Sequence, residues 1–152
     1  MPGLYEQDVY LWAQEQAAAL RRASGAGSNL PIDWENVAEE IESLGSEQAH
    51  ALFSHIAIVI EHLLKLQSSP AENPKPKWKA TVRRARLAIE HRLKRNPSVR
   101  REVPEMVAES MVRVRQLVRD NLNDYNEQPK VDLESLSYTE AQVLGDWFPP
   151  QA

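Results

Sequence analysis

Apolar residues along this chain recur every three or four positions, which is the period of an amphipathic helix. The pattern covers four long segments, at about 5–23, 34–67, 78–95 and 104–122. No segment shows the alternation of a strand bounded by turns, and the chain has only five glycines. These features predict an all-α fold, a single-domain bundle of about four main helices plus a short C-terminal helix.

The second predicted helix carries the longest apolar stripe. It begins after Asp33, a good N-cap residue, and the stripe widens beyond Ala51. We therefore expect its second half to be the most buried part of the chain. Gly45 lies on the stripe and predicts a kink, a break or a close helix crossing. The predicted core contains Ile56, Val59, Leu63, Val82 and Ile89.

Turn-forming residues separate the predicted helices. The stretch SGAGSNLP at 24–31 has two glycines and a proline, and SSPAENPKPK at 68–77 is proline-rich, so both predict loops. Asn96 is expected to cap a short turn that begins at Pro97, and Pro104 to open the fourth helix. In the first helix, the predicted inner face consists of Tyr5, Val9, Trp12, Gln16 and Leu20.

The C-terminal segment combines a helix-start signal with large aromatic residues. Ser137 and Glu140 have the spacing of a capping box, which predicts a short helix opening there. Trp147 and Phe148 follow it. Two large aromatic side chains after a capped helix predict a tail that packs back on the helices.

The length and composition fit one domain. The 152 residues suit a single helical domain, 1–152, with an ordered core at about 4–149. The absence of cysteine excludes disulfides, thiolate zinc sites and cysteine nucleophiles. No apolar run approaches the ~20 residues of a membrane helix, and no secretory signal is seen. The expectation is a soluble cytoplasmic protein with no membrane association.

Charge is distributed unevenly along the chain. The segment 75–101 has eleven Lys or Arg and one acid, a net charge of +10. The remaining residues have seven Lys or Arg and twenty-one acids, a net charge of −14, so the whole chain is at −4. This asymmetry predicts oppositely charged helix faces.

Six stretches in order resemble a known family. They read YEQDVYLWAQEQAAALRR, DWENVAEEIESLG, IEHLLKLQ, TVRRARLAI, NPSV and YTEAQVLGDWFP. Over about 4–149 the chain resembles the bacterial domain-of-unknown-function family 29 (DUF29). The resemblance implies an all-α fold of several helices, common in cyanobacteria and proteobacteria, with no established activity and no site residue to transfer. The chain departs from the pattern in its longer 24–31 loop and in lacking an aromatic residue near Met111.

The carboxylates of the second helix allow two interpretations. Glu35, Glu39 and Glu42 lie in one column, within about 60° of each other, beside the apolar stripe. A di-iron site in a bundle needs two Glu-x-x-His motifs, and the chain has only Glu47–His50. The alternative is a solvated or salt-bridged helix edge. We expect the three glutamates to face the basic side of the third or fourth helix and to bind no metal.

Histidines provide a second candidate metal site. His55 and His62 are seven residues apart and share a helix face, and His91 could complete a zinc or nickel site. The alternative is that these histidines donate to backbone or glutamate partners at the rim of the core.

The basic segment could contact nucleic acid. A basic helix with a tryptophan at its start can hold phosphates and stack a base. The alternative is an internal role, in which acids of the first two helices balance its charge. The net charge of −4 argues against a dedicated nucleic-acid binder.

The function that the sequence favours is non-enzymatic: a small interaction or regulatory module that binds a protein partner or self-associates, without cofactor. One alternative is a nucleic-acid-binding accessory protein that uses the 75–101 segment. A third is a metal-dependent enzyme that uses the glutamates and histidines of the second helix. No catalytic or metal-binding residue is assigned. The candidate interaction surface consists of Trp78, Lys79, Arg83, Arg84, Arg86, Glu35, Glu39 and Glu42.

Overall fold

The computed structural model describes residues 1–27 and 29–150, and this part of the chain contains helices and no strand. Four helices are long, α2 to α5, and the C-terminal α6 is short. The predicted all-α fold with four long helices and a short C-terminal helix is therefore confirmed, and the short α1 is an additional helix. The helices are α1 (Leu4–Gln7), α2 (Val9–Gly25), α3 (Trp34–Ser68), α4 (Lys75–Arg95), α5 (Val103–Asp124) and α6 (Glu140–Leu144), with 3-10 turns at Pro97–Glu102 and Leu133–Ser135.

The chain forms two compact units, each built from two separate stretches. Unit one combines Met1–Ala51 with His91–Arg101, and unit two combines Leu52–Glu90 with Glu102–Ala152. The ranges of α3 and α4 extend into both units. A single domain over 1–152 stays a prediction.

In unit one, a buried carboxylate interrupts the first predicted helix. Asp8 has extended backbone (φ −159°, ψ 100°), and one oxygen accepts from the Leu11 backbone N–H at 2.8 Å, which caps α2. The same oxygen accepts from Ser98 Oγ at 2.9 Å, and the other from the Ser98 N–H at 2.6 Å. Because a buried carboxylate needs such donors, the continuous helix predicted at 5–23 is wrong.

The buried face of α2 also differs from the prediction. Ala13 and Ala17 are fully buried, whereas Tyr5 and Gln16 of the predicted inner face are exposed. A Cβ built on Gly45 would lie 3.0 Å from the Ala13 Cβ. Of the three alternatives for Gly45, the structure therefore shows a close helix crossing, and α3 runs through it without a break.

Asn96 has a different role from the cap that was predicted. The 3-10 turn at Pro97–Glu102 is present, but the Asn96 side chain is directed to other groups. Its Oδ1 accepts from the Tyr10 N–H at 3.0 Å, and its Nδ2 donates to the Arg92 carbonyl at 2.9 Å and to Gln48 Oε1 at 3.2 Å. This buried amide therefore joins α2, α3 and α4 within unit one.

The second half of α3 supplies the core of unit two. All five predicted core residues are at most 2% exposed, which confirms the core predicted for the second half of α3 and for α4. Within the described residues, α3 is the one helix long and apolar enough to cross a membrane by length and composition. A core helix passes the same test, and the second half of α3 packs its apolar face against the protein, whereas Val37 and Leu44 in the first half are exposed. The helix contributes Leu52, Ile56, Val59, Ile60, Leu63, Leu64 and Leu66 to the buried set.

The capping box of α6 lies two residues beyond the predicted position. Thr139 Oγ1 accepts from the Gln142 N–H at 3.1 Å, and Gln142 Oε1 accepts from the Thr139 N–H at 2.9 Å. The pair Ser137 and Glu140 is therefore not the cap. Tyr138 is buried, and its hydroxyl donates to Gln67 Oε1 at 2.8 Å, which keeps this stretch extended before the helix begins.

Candidate functional site

The acidic column of α3 pairs with α2. Arg21 Nε lies 3.1 Å from Glu35 Oε1, and Arg21 Nη2 lies 2.8 Å from Glu42 Oε2. The hydrogen bonds that Arg21 donates to Glu42 and, second, to Glu35 raise the pKa of Arg21. The expected partner on the third or fourth predicted helix is therefore wrong for these two glutamates. Glu39 is exposed on the same helix.

The metal-binding alternatives find no ligand cluster in the described part of the chain. There, no group of three or more His, Asp or Glu residues could hold a metal ion. His62 Nδ1 lies 2.8 Å from the Ile58 carbonyl and 3.5 Å from Glu61 Oε2. This arrangement matches the alternative in which a rim histidine bonds to backbone and glutamate.

Three of the candidate basic residues converge on the C-terminal aromatic. The Phe148 ring centroid lies 5.0 Å from Arg86 Cζ, 5.2 Å from Arg83 Cζ and 5.9 Å from Lys79 Nζ. These distances are those of cation–π contacts. The predicted packing of Phe148 on the helices is confirmed, whereas the Trp147 ring lies 5.8 Å from the Tyr138 ring, outside the helices. Arg84 is exposed on the same helix.

Arg86 holds the end of α6. Its Nε donates to the Val143 carbonyl at 3.0 Å, and its Nη2 donates to the carbonyls of Gln142 at 2.8 Å and Trp147 at 2.7 Å. Burial lowers the pKa of the Arg86 guanidinium, and nearby Asp146 opposes that shift. The group remains a cation at neutral pH. The basic segment is thus partly internal, but Arg86 binds carbonyls of the C-terminal segment instead of acids from the first two helices.

Trp78 opens onto a cleft in unit two. The cleft has a volume of about 380 Å³, which is within the range of ligand and side-chain binding sites. Its apolar wall consists of Pro74, Trp78, Leu122 and Tyr125, with Tyr125 78% exposed. Its polar lining consists of Lys65, Asn121 and Glu127.

The C-terminal turn of α5 carries two of these residues into the cleft. The Asn126 N–H donates to the Asn123 carbonyl at 3.0 Å, and the Glu127 N–H donates to the Leu122 carbonyl at 2.8 Å. This is the hydrogen-bond pattern of a Schellman motif, and Asn126 takes the required left-handed conformation, with φ 54°. The turn places Tyr125 and Glu127 on either side of Asn126, and both line the cleft.

The charged groups of the cleft are held by neighbours. Glu127 Oε2 accepts from Ser69 Oγ at 2.9 Å, and Ser69 is fully buried. The Ala71 N–H donates to the same Ser69 hydroxyl oxygen at 3.1 Å. Lys65 Nζ lies 3.1 Å from Glu61 Oε2, one turn earlier on α3. The carboxylate and the ammonium group therefore have defined positions before any ligand binds.

Sequence reasoning found Trp78 but missed Tyr125, Glu127 and Ser69. A local signal was present, because asparagine after a helix end favours the left-handed position of a Schellman turn. That signal predicts the turn but not what lies across from it, since Pro74 and Trp78 reach the same cleft only by tertiary packing.

Comparison with known proteins points to one family and one fold. A family model described as domain of unknown function DUF29 matches residues 4–148. A crystal structure of an α-helical protein of unknown function from Rhodospirillum rubrum has a TM-score of 0.77 and 21% sequence identity, over 98% of this chain and 94% of that chain. At this identity the likeness shows the fold alone. No curated protein matches the chain.

Proposed function

The chain belongs to the DUF29 family, and we propose that it is a non-enzymatic interaction module that binds a protein partner through the cleft at Trp78. The family description names no function, so the proposal rests on the geometry of this cleft.

The observation that carries the proposal is the exposure of Tyr125 beside Trp78. An aromatic side chain that is 78% exposed has no packing role of its own, yet the Schellman turn fixes its backbone at the cleft. Tyrosine and tryptophan are the residues most enriched in the energetic centres of protein interfaces. A cleft of about 380 Å³ can hold one or two anchoring side chains of a partner.

The polar groups of the cleft favour binding over group transfer. The Ser69 hydroxyl is bonded to the Glu127 carboxylate, as a nucleophile is to its base, but Ser69 has no exposed surface. A substrate atom could not approach that oxygen without opening the protein. The serine therefore supports the carboxylate and leaves it as the recognition group.

The proposal includes a cytoplasmic location and no association with a membrane. The support is the burial of the apolar residues in the second half of α3 within unit two, since residues packed in this way are not available to lipid.

The experiment is photo-crosslinking in the cells of origin. A photo-reactive phenylalanine analogue replaces Tyr125 in one variant and Val112 in a control, since both positions are highly exposed. The proposal predicts a partner crosslinked from position 125 and not from position 112. Excess unlabelled wild-type protein or Val112→Ala should suppress the crosslink, and excess Tyr125→Ala should not. Equal crosslinking from both positions, or none from 125, contradicts the proposal.

A further inference from the structure

We propose that the cleft recognises an arginine side chain of the partner, stacked against Trp78 and Tyr125 and paired with Glu127. The inference rests on the proposed function, because it names the chemistry of the partner at the same cleft. It is carried by the carboxylate, the aromatic wall and the state of the neighbouring cation.

Glu127 is a carboxylate prepared for a cation. Its backbone N–H is bound to Leu122, and one side-chain oxygen is held by the buried Ser69 hydroxyl. Within residues 1–27 and 29–150, no basic side chain forms an ion pair with it. A partner cation would therefore meet a negative charge that is already oriented, so little side-chain entropy is lost on binding.

Lys65 is the basic residue lining the cleft, and its charge is balanced by an acid of its own helix. Its ammonium group forms an ion pair with Glu61 at 3.1 Å, and Glu61 also lies 3.5 Å from His62 Nδ1. Glu61 already balances the charge of Lys65. Glu127 is therefore the charged group lining the cleft that a ligand can pair with. An anionic ligand would have to compete with Glu61 for Lys65 and would be repelled by Glu127.

The aromatic wall distinguishes arginine from other cations. A guanidinium is planar and weakly hydrated, stacks on indole and phenol rings, and can donate to a carboxylate at its edge at the same time. Trp78 and Tyr125 provide the rings, and Glu127 provides the acceptor in the same cleft. A lysine ammonium is more strongly hydrated and offers no plane to stack.

The test uses the intact protein, three capped tripeptides and nitrogen-15 NMR. The peptides are Gly-Arg-Gly, Gly-citrulline-Gly and Gly-Asp-Gly, where citrulline keeps the planar shape of arginine without its charge. The reporter is the indole N–H resonance of Trp78, assigned by its loss in Trp78→Phe. We expect the arginine peptide to shift this resonance and the citrulline peptide to bind at least about fivefold more weakly. The difference should narrow at high salt.

Two variants test whether Glu127 is the group that distinguishes charged arginine from neutral citrulline. Glu127→Gln should remove the preference for arginine over citrulline. Glu105→Gln, an exposed acid at the start of α5, should retain it. Equal binding of the two peptides, tighter binding of the aspartate peptide, or no shift of Trp78 would each overturn the arginine assignment. A partner crosslinked from position 125 alongside such a result would leave the proposed function standing.

Discussion

Asp8 and Gly45 determine how α2 is built and where it lies. Asp8 stops α1, caps α2 and bonds to Ser98, so one buried carboxylate connects stretches 90 residues apart. Gly45 allows α3 to approach the Ala13 methyl group closely, because a larger residue would place an atom 3.0 Å from it. Both residues act through contacts that local helix propensity does not contain.

Gly45→Ala is expected to lower the free energy of unfolding by about 1–3 kcal/mol. The Ala13 Cβ is fixed to the backbone of α2 and cannot rotate away, so the whole helix must shift. The control is Gly25→Ala, where a Cβ meets no atom within 4 Å. That change should be neutral or stabilise by up to about 1 kcal/mol. Urea denaturation measures both, and equal effects would contradict the close crossing.

Because of Tyr138, the free energy of unfolding is expected to depend on pH in the alkaline range. Burial raises the pKa of its phenol, and its hydroxyl donates to Gln67, so the folded state holds the neutral form. This stabilisation is complete below the ordinary tyrosine pKa of about 10 and is lost as the pH rises above it. The advantage of the wild type over Tyr138→Phe should therefore be constant from about pH 8 to 10 and shrink between about pH 10 and 11.

The measurement is the urea midpoint of both proteins across that pH range. Other groups titrate alike in the two proteins, so their difference isolates Tyr138. Parallel curves for wild type and Tyr138→Phe would contradict the prediction.

The contribution of each helix to stability depends on which of its faces is buried. The second half of α3 buries its wide apolar face, and α5 buries one side while Val112 and Leu117 stay exposed. The C-terminal segment packs by a different means, through the Arg86 hydrogen bonds and the Phe148 ring. Burial therefore holds the long helices, and charged hydrogen bonds hold the short one.

Leu63→Ala should lower the free energy of unfolding by about 2–5 kcal/mol, because it leaves a cavity in the core of unit two. Leu117→Ala, at a leucine that is 44% exposed, removes the same atoms without a closed cavity and should cost less than about 1 kcal/mol. Chemical denaturation decides between them. A loss below about 1 kcal/mol at Leu63 would mean that this part of α3 contributes little to stability.

Arg86→Met should lower the free energy of unfolding by about 1.5–3 kcal/mol, because three backbone carbonyls lose a charged donor. Arg84→Met, on the exposed face of α4, should change it by at most about 0.5 kcal/mol. Thermal and urea unfolding give both values. Equal effects would mean that the C-terminal segment is held by its aromatic contacts alone.

At the scale of the whole molecule, the unevenly distributed charges form local ion pairs and hydrogen bonds. The acids of α3 pair with Arg21 of α2, and part of the basic segment binds the C-terminal segment. The side chains of Arg21, Glu35 and Glu42 are 38%, 61% and 49% exposed, so both ion pairs are screened by solvent. The uneven charge distribution therefore reflects several separate contacts, and each of them is local.

Added zinc, iron or manganese should leave the melting temperature unchanged. In the described residues the carboxylates and histidines form no group that could hold a metal, and two of the three column glutamates are bonded to Arg21. Differential scanning fluorimetry on tag-free protein checks this. A metal-dependent rise that Glu39→Gln abolishes would restore the metal-site hypothesis.

The sequence by itself determined the four long helices apart from the break at Asp8, the buried faces of α4 and of the second half of α3, and the family, because helical periodicity and turn residues are local properties. It placed Ile56, Leu63 and Ile89 in the core and Phe148 of the tail against the helices. Only the tertiary structure decided how polar groups are satisfied. Asp8 breaks a helix because Ser98 reaches it, and the glutamate column meets Arg21 because α2 packs there. Likewise, Tyr125 and Glu127 join Trp78 in one cleft because three helix ends meet. Such partners lie far apart in the chain, so no local pattern encodes them.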